Sequence, residues 1–122
     1  LDASAVNLMR PAMYGAYHGI FFNGREADPR EPAGLCGQLC ENTDFWVRER
    51  AFPVTVAEGD LVVVENAGAY GYAMGYQYNG RLRPAEVLVK GRRHNLIRRR
   101  EEFADMIRGT RVPARLRRPP HP

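Results

Sequence analysis

"EGDLVVVENAGAYGYAMGYQYN", residues 58–79, decides how the chain folds. Glu58–Asp60 is a turn signal, glycine between two acids, and Leu61–Glu65 is an apolar, β-branched run of strand length. A run of that kind reads as a buried strand. No helical period follows it; the next residues are dense in glycine and tyrosine. Glycine lets a backbone approach a ligand closely, and tyrosine offers an apolar body with a polar tip. The segment is therefore either a site for a planar or phosphorylated ligand or a glycine-rich loop whose tyrosines sit in the core. Composition leaves both open.

Working outward, the same alternation of short strands and turns recurs. Residues 16–22, "AYHGIFF", are aromatic and β-branched and predict a strand. "NGREADPREPAG" (23–34) predicts a loop, and "LCGQLC" (35–40) a strand weakened by Gly37. "NTDFWVRER" (42–50) predicts a short helix capped by Asn42 or Thr43. At the start, Asp2 and Ser4 predict a cap for a helix with Ala5, Leu8 and Met9 on one face, ended or kinked by Pro11. "AEVLVKGRRHNLIRRR" (85–100) predicts a hairpin around Lys90–Arg93, and "REEFADMI" (100–107) a helix with Phe103, Met106 and Ile107 on one face. Short strands separated by turns, with only small helices, predict a mainly β domain, a barrel or sandwich.

At 122 residues the chain fits one domain. No apolar run reaches 18 residues, so no membrane span is expected, and no signal peptide is visible. The chain starts at Leu1 rather than Met, as a processed chain or a fragment would. The net charge of +4 is unevenly placed. Arg108, Arg111, Arg115, Arg117 and Arg118 lie beyond the last acid; without these five, residues 1–107 hold 13 bases against all 14 acids. The basic character belongs to a tail, 109–122, that is rich in proline and arginine and expected to be disordered. Such a tail is a phosphate-binding arm or a solvated terminus, and the near-neutral body makes nucleic acid an unlikely partner. The two cysteines, Cys36 and Cys40, would stand roughly 13 Å apart on a strand, beyond the about 7 Å that a disulfide tolerates. No second Cys or His pair follows at zinc spacing, so no metal is expected. Two free thiols and no export signal point to a reducing cytoplasm.

Several side chains carry chemistry. Arg10, before Pro11, can hold a carboxylate with both prongs of its guanidinium or pair with local carbonyls. His18 is a base or a satisfied structural histidine. Arg98–Arg100 are a nucleic-acid patch or an ion-paired edge beside Glu101 and Glu102. Cys40 is a proton-transferring thiol beside the carboxylate of Glu41, or a buried structural cysteine. A shared site for Cys40 and Glu41 needs a turn, because successive strand residues face opposite ways.

Five stretches together resemble one family. "RPAMYGAYH" (10–18), "CENTD" (40–44), "EGDLVVVENAGAYGYAMGYQYN" (58–79), "RPAEVLVKG" (83–91) and "LIRRREEFADM" (96–106) are similar to the C-terminal region of diaminopimelate decarboxylases, over about residues 1–108. These are pyridoxal-phosphate (PLP) enzymes of the alanine-racemase-like class. The resemblance implies a subunit in which a (β/α)8 barrel carries PLP on a lysine and a β domain completes the site. This chain resembles only the β domain, with residues 1–15 as the segment leading in. Its one lysine, Lys90, falls in the hairpin turn, a poor place for a Schiff base. The resemblance thus implies a piece of an enzyme, inactive alone.

The roles it implies are these. Arg10 and Tyr14 bind a substrate carboxylate. Cys40 is the proton donor offered to the neighbouring subunit's site, Glu41 grips the distal ammonium of meso-diaminopimelate, and Tyr70 touches cofactor and substrate. The whole enzyme is expected to be a cytoplasmic homodimer that makes lysine, with active sites at the interface. The family reads Gly-Pro-x-Cys-Glu-Ser-Gly-Asp around the thiol. Gly37–Asp44 departs from that at Gln38, Asn42 and Thr43, which bears on the shape of the turn more than on its chemistry. Related ornithine- and lysine-type enzymes place Asp after this cysteine, so Glu41 favours diaminopimelate. Two alternatives remain: a PLP decarboxylase of another basic amino acid or polyamine conjugate, and a free-standing β-barrel binding module with a basic tail for nucleic acid.

Overall fold

A computed structural model describes residues 1–117 of the chain. They form two compact units, Leu1–Arg83 and a second from Pro84 onward. The architecture is mainly β, as expected, with three short helices. Six strands make three antiparallel pairs.

In the first unit β1 (Ile20–Phe22) pairs with β4 (Val62–Val64), Phe21 opposite Val63. The longer pair is β2 (Arg30–Cys36) with β3 (Phe45–Pro53). One core lies between the pairs: Ile20 and Phe22 from β1, Leu35 from β2, and Val47 and Phe52 from β3, with Trp46, Val62 and Val64 packed against it. Phe22 meets Phe52 edge to face, centroids 5.8 Å apart, the arrangement that ring quadrupoles favour. The second unit holds the predicted hairpin, β5 (Glu86–Lys90) with β6 (Arg93–Arg98). Gly91 makes its turn at φ +59°, a left-handed backbone conformation that glycine adopts without steric cost.

The sequence reading fails at five places, each for a local reason. Residues 45–50 were expected to be helical and are strand β3. Phe45, Trp46 and Val47 suit a pleated, half-buried surface, and the polar residues before them close a turn, Asp44 N–H to Glu41 O at 3.1 Å, instead of capping a helix. Pro11 begins a helix instead of ending one: α1 is Arg10–Tyr14, with proline in its first turn. A proline there loses no hydrogen bond, because the first N–H groups of a helix have no partner within it. The loop expected at 23–34 gives way to strand at Arg30. Pro32 is tolerated because β2 pairs on one side only, and the register slips between Ala33 and Leu35, around Gly34. The strand expected through Cys40 stops at Cys36. Leu61–Glu65 is not fully buried either: Val63 is 38% exposed while its neighbours turn inward, the period-2 pattern of a strand with one solvated face.

Near the C-terminus the predicted helix shrinks to one turn, α3 (Phe103–Met106), fixed by a reciprocal capping box between Glu102 and Asp105. Asp105 also accepts two hydrogen bonds from Arg99, at 2.6 and 2.7 Å, and one from Arg108 at 2.8 Å. The Arg99 hydrogen bond first, then the Glu102 N–H, hold the Asp105 carboxyl well below the usual carboxylate range. Of the expected tail, residues 118–122 lie outside the described part, and Ala114–Leu116 form a single 3-10 turn.

Replacing Phe52, 3% exposed at the centre of the core, by alanine is expected to cost about 3–5 kcal/mol through lost burial and the cavity left behind. Urea unfolding followed by circular dichroism measures it.

Candidate functional site

The site is built from the bend between β2 and β3. After Cys36 the chain leaves the strand, turns through residues 37–44 and re-enters at Phe45. Asp44 anchors this bend. Its carboxylate is buried and takes the N–H of Leu39 at 2.7 Å on one oxygen and that of Ala5 at 2.7 Å on the other. The Gly37 N–H closes the bend onto Asp44 O at 3.0 Å. A side chain at Gly37 would run into the Asp44 carboxylate and the Ser4 side chain, so only glycine fits beneath the anchored turn. One buried carboxylate thus ties the lead-in segment to the loop that carries Cys40.

Cys40 and Glu41 ride on top of that bend. Both cysteines are free thiols and both are exposed, so the structural alternative, a cysteine packed in the interior, does not hold for Cys40. The 3-10 turn Tyr78–Gly80 faces the pair. Asn79 Nδ2 donates to Cys40 Sγ at 3.3 Å, and the Tyr78 hydroxyl donates a short hydrogen bond to Glu41 Oε1. Asn79 has a left-handed backbone, φ 54°, which asparagine tolerates better than most residues. That hydrogen bond, with the Glu41 charge behind it, pushes the Tyr78 phenol up to about 12. Tyr76 is also raised, by burial first and then by Asp44 and Glu41.

A second pair forms where α1 meets α2 (Gly68–Gly71). The Arg10 guanidinium lies over the Tyr70 ring, 4.0 Å from its centre, a cation–π contact. Tyr14 sits four residues after Arg10, hence on the same helix face, and is 62% exposed. The five residues singled out in the sequence therefore fall into two groups, Arg10 with Tyr70 and Tyr14 on one helix face, and Cys40 with Glu41 on the bend. None of them lines the cleft of about 980 Å³ that opens beside Phe22, Leu35, Trp46 and Val62. The groups with chemistry lie on the surface of the first unit rather than in its cavity.

Two other candidates are held by structural contacts, His18 through one ring nitrogen only, since its buried Nε2 has no hydrogen-bond partner. His18 is buried, its Nδ1 2.9 Å from Glu65 O, and its carbonyl accepts from Arg50 at 2.9 Å. Arg98 pairs with Glu86 and Arg99 with Asp105, the ion-paired edge. Asp44, Tyr78 and Asn79 went unassigned in the sequence. The Asn79–Gly80 dipeptide is a turn signal that marks where the segment could fold back, but nothing in the sequence says that it folds onto Cys40.

Comparison with known proteins places the chain in a family. Residues 1–68 match the family described as "Pyridoxal-dependent decarboxylase, C-terminal sheet domain", and the chain belongs to that family. It is 47% identical over 117 residues to a diaminopimelate decarboxylase of Methanothermobacter thermautotrophicus, a match covering 95% of this chain and 27% of the relative. It is 46% identical to that of Archaeoglobus fulgidus, covering 93% of this chain and 27% of the relative. The crystal structure of a Methanocaldococcus jannaschii diaminopimelate decarboxylase superposes with a TM-score of 0.84 at 40% identity, over 94% of this chain and 26% of that one. The chain spans about a quarter of the length of the curated relatives it matches.

The family's cofactor, pyridoxal phosphate, is held covalently by a lysine. The residues of this chain do not supply that anchor: its lone lysine, Lys90, is exposed at the end of β5, beside the Gly91 turn. No helix among the described residues is long and apolar enough to cross a membrane.

Two outcomes test the site. Asp44→Ala strands two inward N–H groups and is expected to destabilise the first unit by roughly 2–4 kcal/mol. Asp44→Asn, which keeps one accepting oxygen, is expected to cost less; paired denaturant titrations measure both. For Tyr78, a folded pKa raised above the free phenol means that its contact with Glu41 is fully present below about pH 10 and is lost as pH rises toward about 12. Tyrosinate absorbance is expected to show a late-ionising phenol that disappears in Tyr78→Phe and moves to lower pH in Glu41→Gln.

Proposed function

We propose that the chain is the C-terminal sheet domain of a diaminopimelate decarboxylase, the enzyme that converts meso-2,6-diaminopimelate to L-lysine and CO2 in lysine biosynthesis. In this reading pyridoxal phosphate is carried by a barrel segment outside residues 1–122, and the working enzyme is a cytoplasmic homodimer with sites at the subunit interface. The observation that carries it is the exposed Cys40–Glu41 pair, a thiol and a carboxylate presented together on an anchored bend. A group meant to act in another segment's pocket has to stand outside its own core.

The charges suit the substrate. Its distal end carries one carboxylate and one ammonium. Arg10, with Tyr14 on the same helix face, meets the carboxylate, and Glu41 meets the ammonium. Tyr70, beneath the Arg10 guanidinium, holds that cation in place and turns a ring toward substrate and cofactor. When the C–C bond to the departing CO2 breaks, the carbon left behind needs a proton. Cys40 Sγ–H supplies it, becoming a thiolate that solvent later reprotonates.

The experiment is a chimera in which this chain replaces the matching C-terminal segment of the Methanothermobacter relative. The chimera is expected to release CO2 from meso-diaminopimelate. Cys40→Ala within it is expected to lower kcat by about 10²–10⁴-fold, the usual worth of a general acid, with cofactor absorbance unchanged; normal turnover would refute the donor role. Glu41→Asp is expected to shift relative kcat/KM away from diaminopimelate, and an unchanged profile counts against Glu41 as selector.

A further inference from the structure

We propose that the Tyr78–Gly80 turn is the positioning device of the site: Asn79 sets the Cys40 thiol, and Tyr78 sets the Glu41 carboxylate. This rests on the reading of Cys40 as proton donor. Cys40 and Glu41 are adjacent, exposed, and outside any strand, so the bend alone does not fix where their side chains point. Asp44 fixes the backbone beneath them, through the N–H of Leu39. The side chains are fixed from across the fold, by contacts 37 and 39 residues away in sequence.

The chemistry of each contact matches the task of its partner. The Asn79 amide donates to the sulfur. It therefore occupies a lone pair of Sγ and leaves the S–H free to point at a substrate carbon. Once the proton has gone, the same N–H faces a thiolate, and a donor favours the charged form over the neutral one. Asn79 thus assists the loss of the proton without touching the substrate. The Tyr78 hydroxyl takes one lobe of Glu41 Oε1 and leaves the other oxygen for an ammonium group, so the carboxylate is held in one rotamer. The backbone pays for this placement: Asn79 sits at φ 54°, ψ 25° inside the turn. A non-glycine residue keeps that conformation where its surroundings over-determine it, and the amide–thiol contact is one such constraint.

The test reads the thiol directly. In the 122-residue chain with Cys36→Ser, Cys40 is the only cysteine, and its alkylation by iodoacetamide is followed by mass spectrometry at pH 7 and pH 10. The rate at pH 10 reports access; the ratio of the pH 7 rate to the pH 10 rate reports how readily the proton leaves. Asn79→Gly keeps the left-handed turn and removes the amide. Asn79→Asp keeps the turn and sets a carboxylate against the sulfur. The ratio is expected to fall at least threefold in Asn79→Gly and further in Asn79→Asp. A ratio unchanged in Asn79→Asp, the variant that keeps side-chain size and turn preference, overturns the proposal, as does a change confined to the pH 10 rate. Turnover does not enter the measurement. An inactive Cys40-intact chimera would therefore sink the decarboxylase reading alone, and an unchanged ratio would sink the positioning role alone.

Discussion

Two backbone N–H groups converging on one buried carboxylate hold this structure in register. Asp44 takes one from Ala5 and one from Leu39, each at 2.7 Å. Hydrogen bonds to an ionised acceptor are the strong ones, and a buried carboxylate without them would be costly. The residues it joins are far apart in sequence, yet they lead into both groups of candidate site residues. Ala5 leads into α1 with Arg10, and Leu39 leads into Cys40. The lack of a side chain at Gly37 is what lets the carboxylate come close enough. Packing alone would not set this geometry, because the apolar core lies between the two strand pairs and contains none of these groups.

The division of labour follows from that separation. The core of Ile20, Phe22, Leu35, Val47 and Phe52 supplies rigidity. The bend, α1, α2 and the 3-10 turn at Tyr78 supply direction. Three of the candidate side chains are held by a contact from another segment: Arg10 by the Tyr70 ring, Glu41 by Tyr78, Cys40 by Asn79. Functional groups on loops need such second contacts, since loops have little packing of their own.

The β class and the hairpin were legible because they rest on local signals, alternation and a lysine–glycine turn. The candidate site residues were named only through motif resemblance; periodicity said nothing of Cys40. The misreadings share a cause. Asn42–Asp44 have the chemistry of a helix cap, and a carboxylate that caps locally or accepts from distant N–H groups looks the same in sequence. Pro11 reads as a terminator or an initiator according to which residues flank it, and the pattern before it, Ala5, Leu8 and Met9, pointed the wrong way. Tyr78 and Asn79 were invisible as partners of Glu41 and Cys40 because their contacts span nearly forty positions. Tertiary placement decided each of these, and a window of neighbouring residues does not contain it.

The scarcity of lysine has a practical corollary. Every basic side chain of Leu1–Arg83 is an arginine or a histidine, and the single ε-amine of these 122 residues is Lys90, exposed beside the Gly91 turn of the second unit. Guanidinium groups stay protonated and resist acylation at neutral pH. An acyl donor that targets ε-amines, whether a cellular acetylating agent or a fluorescent ester, therefore finds one such group within these 122 residues, and it lies in the other unit from Cys40, Glu41 and Arg10.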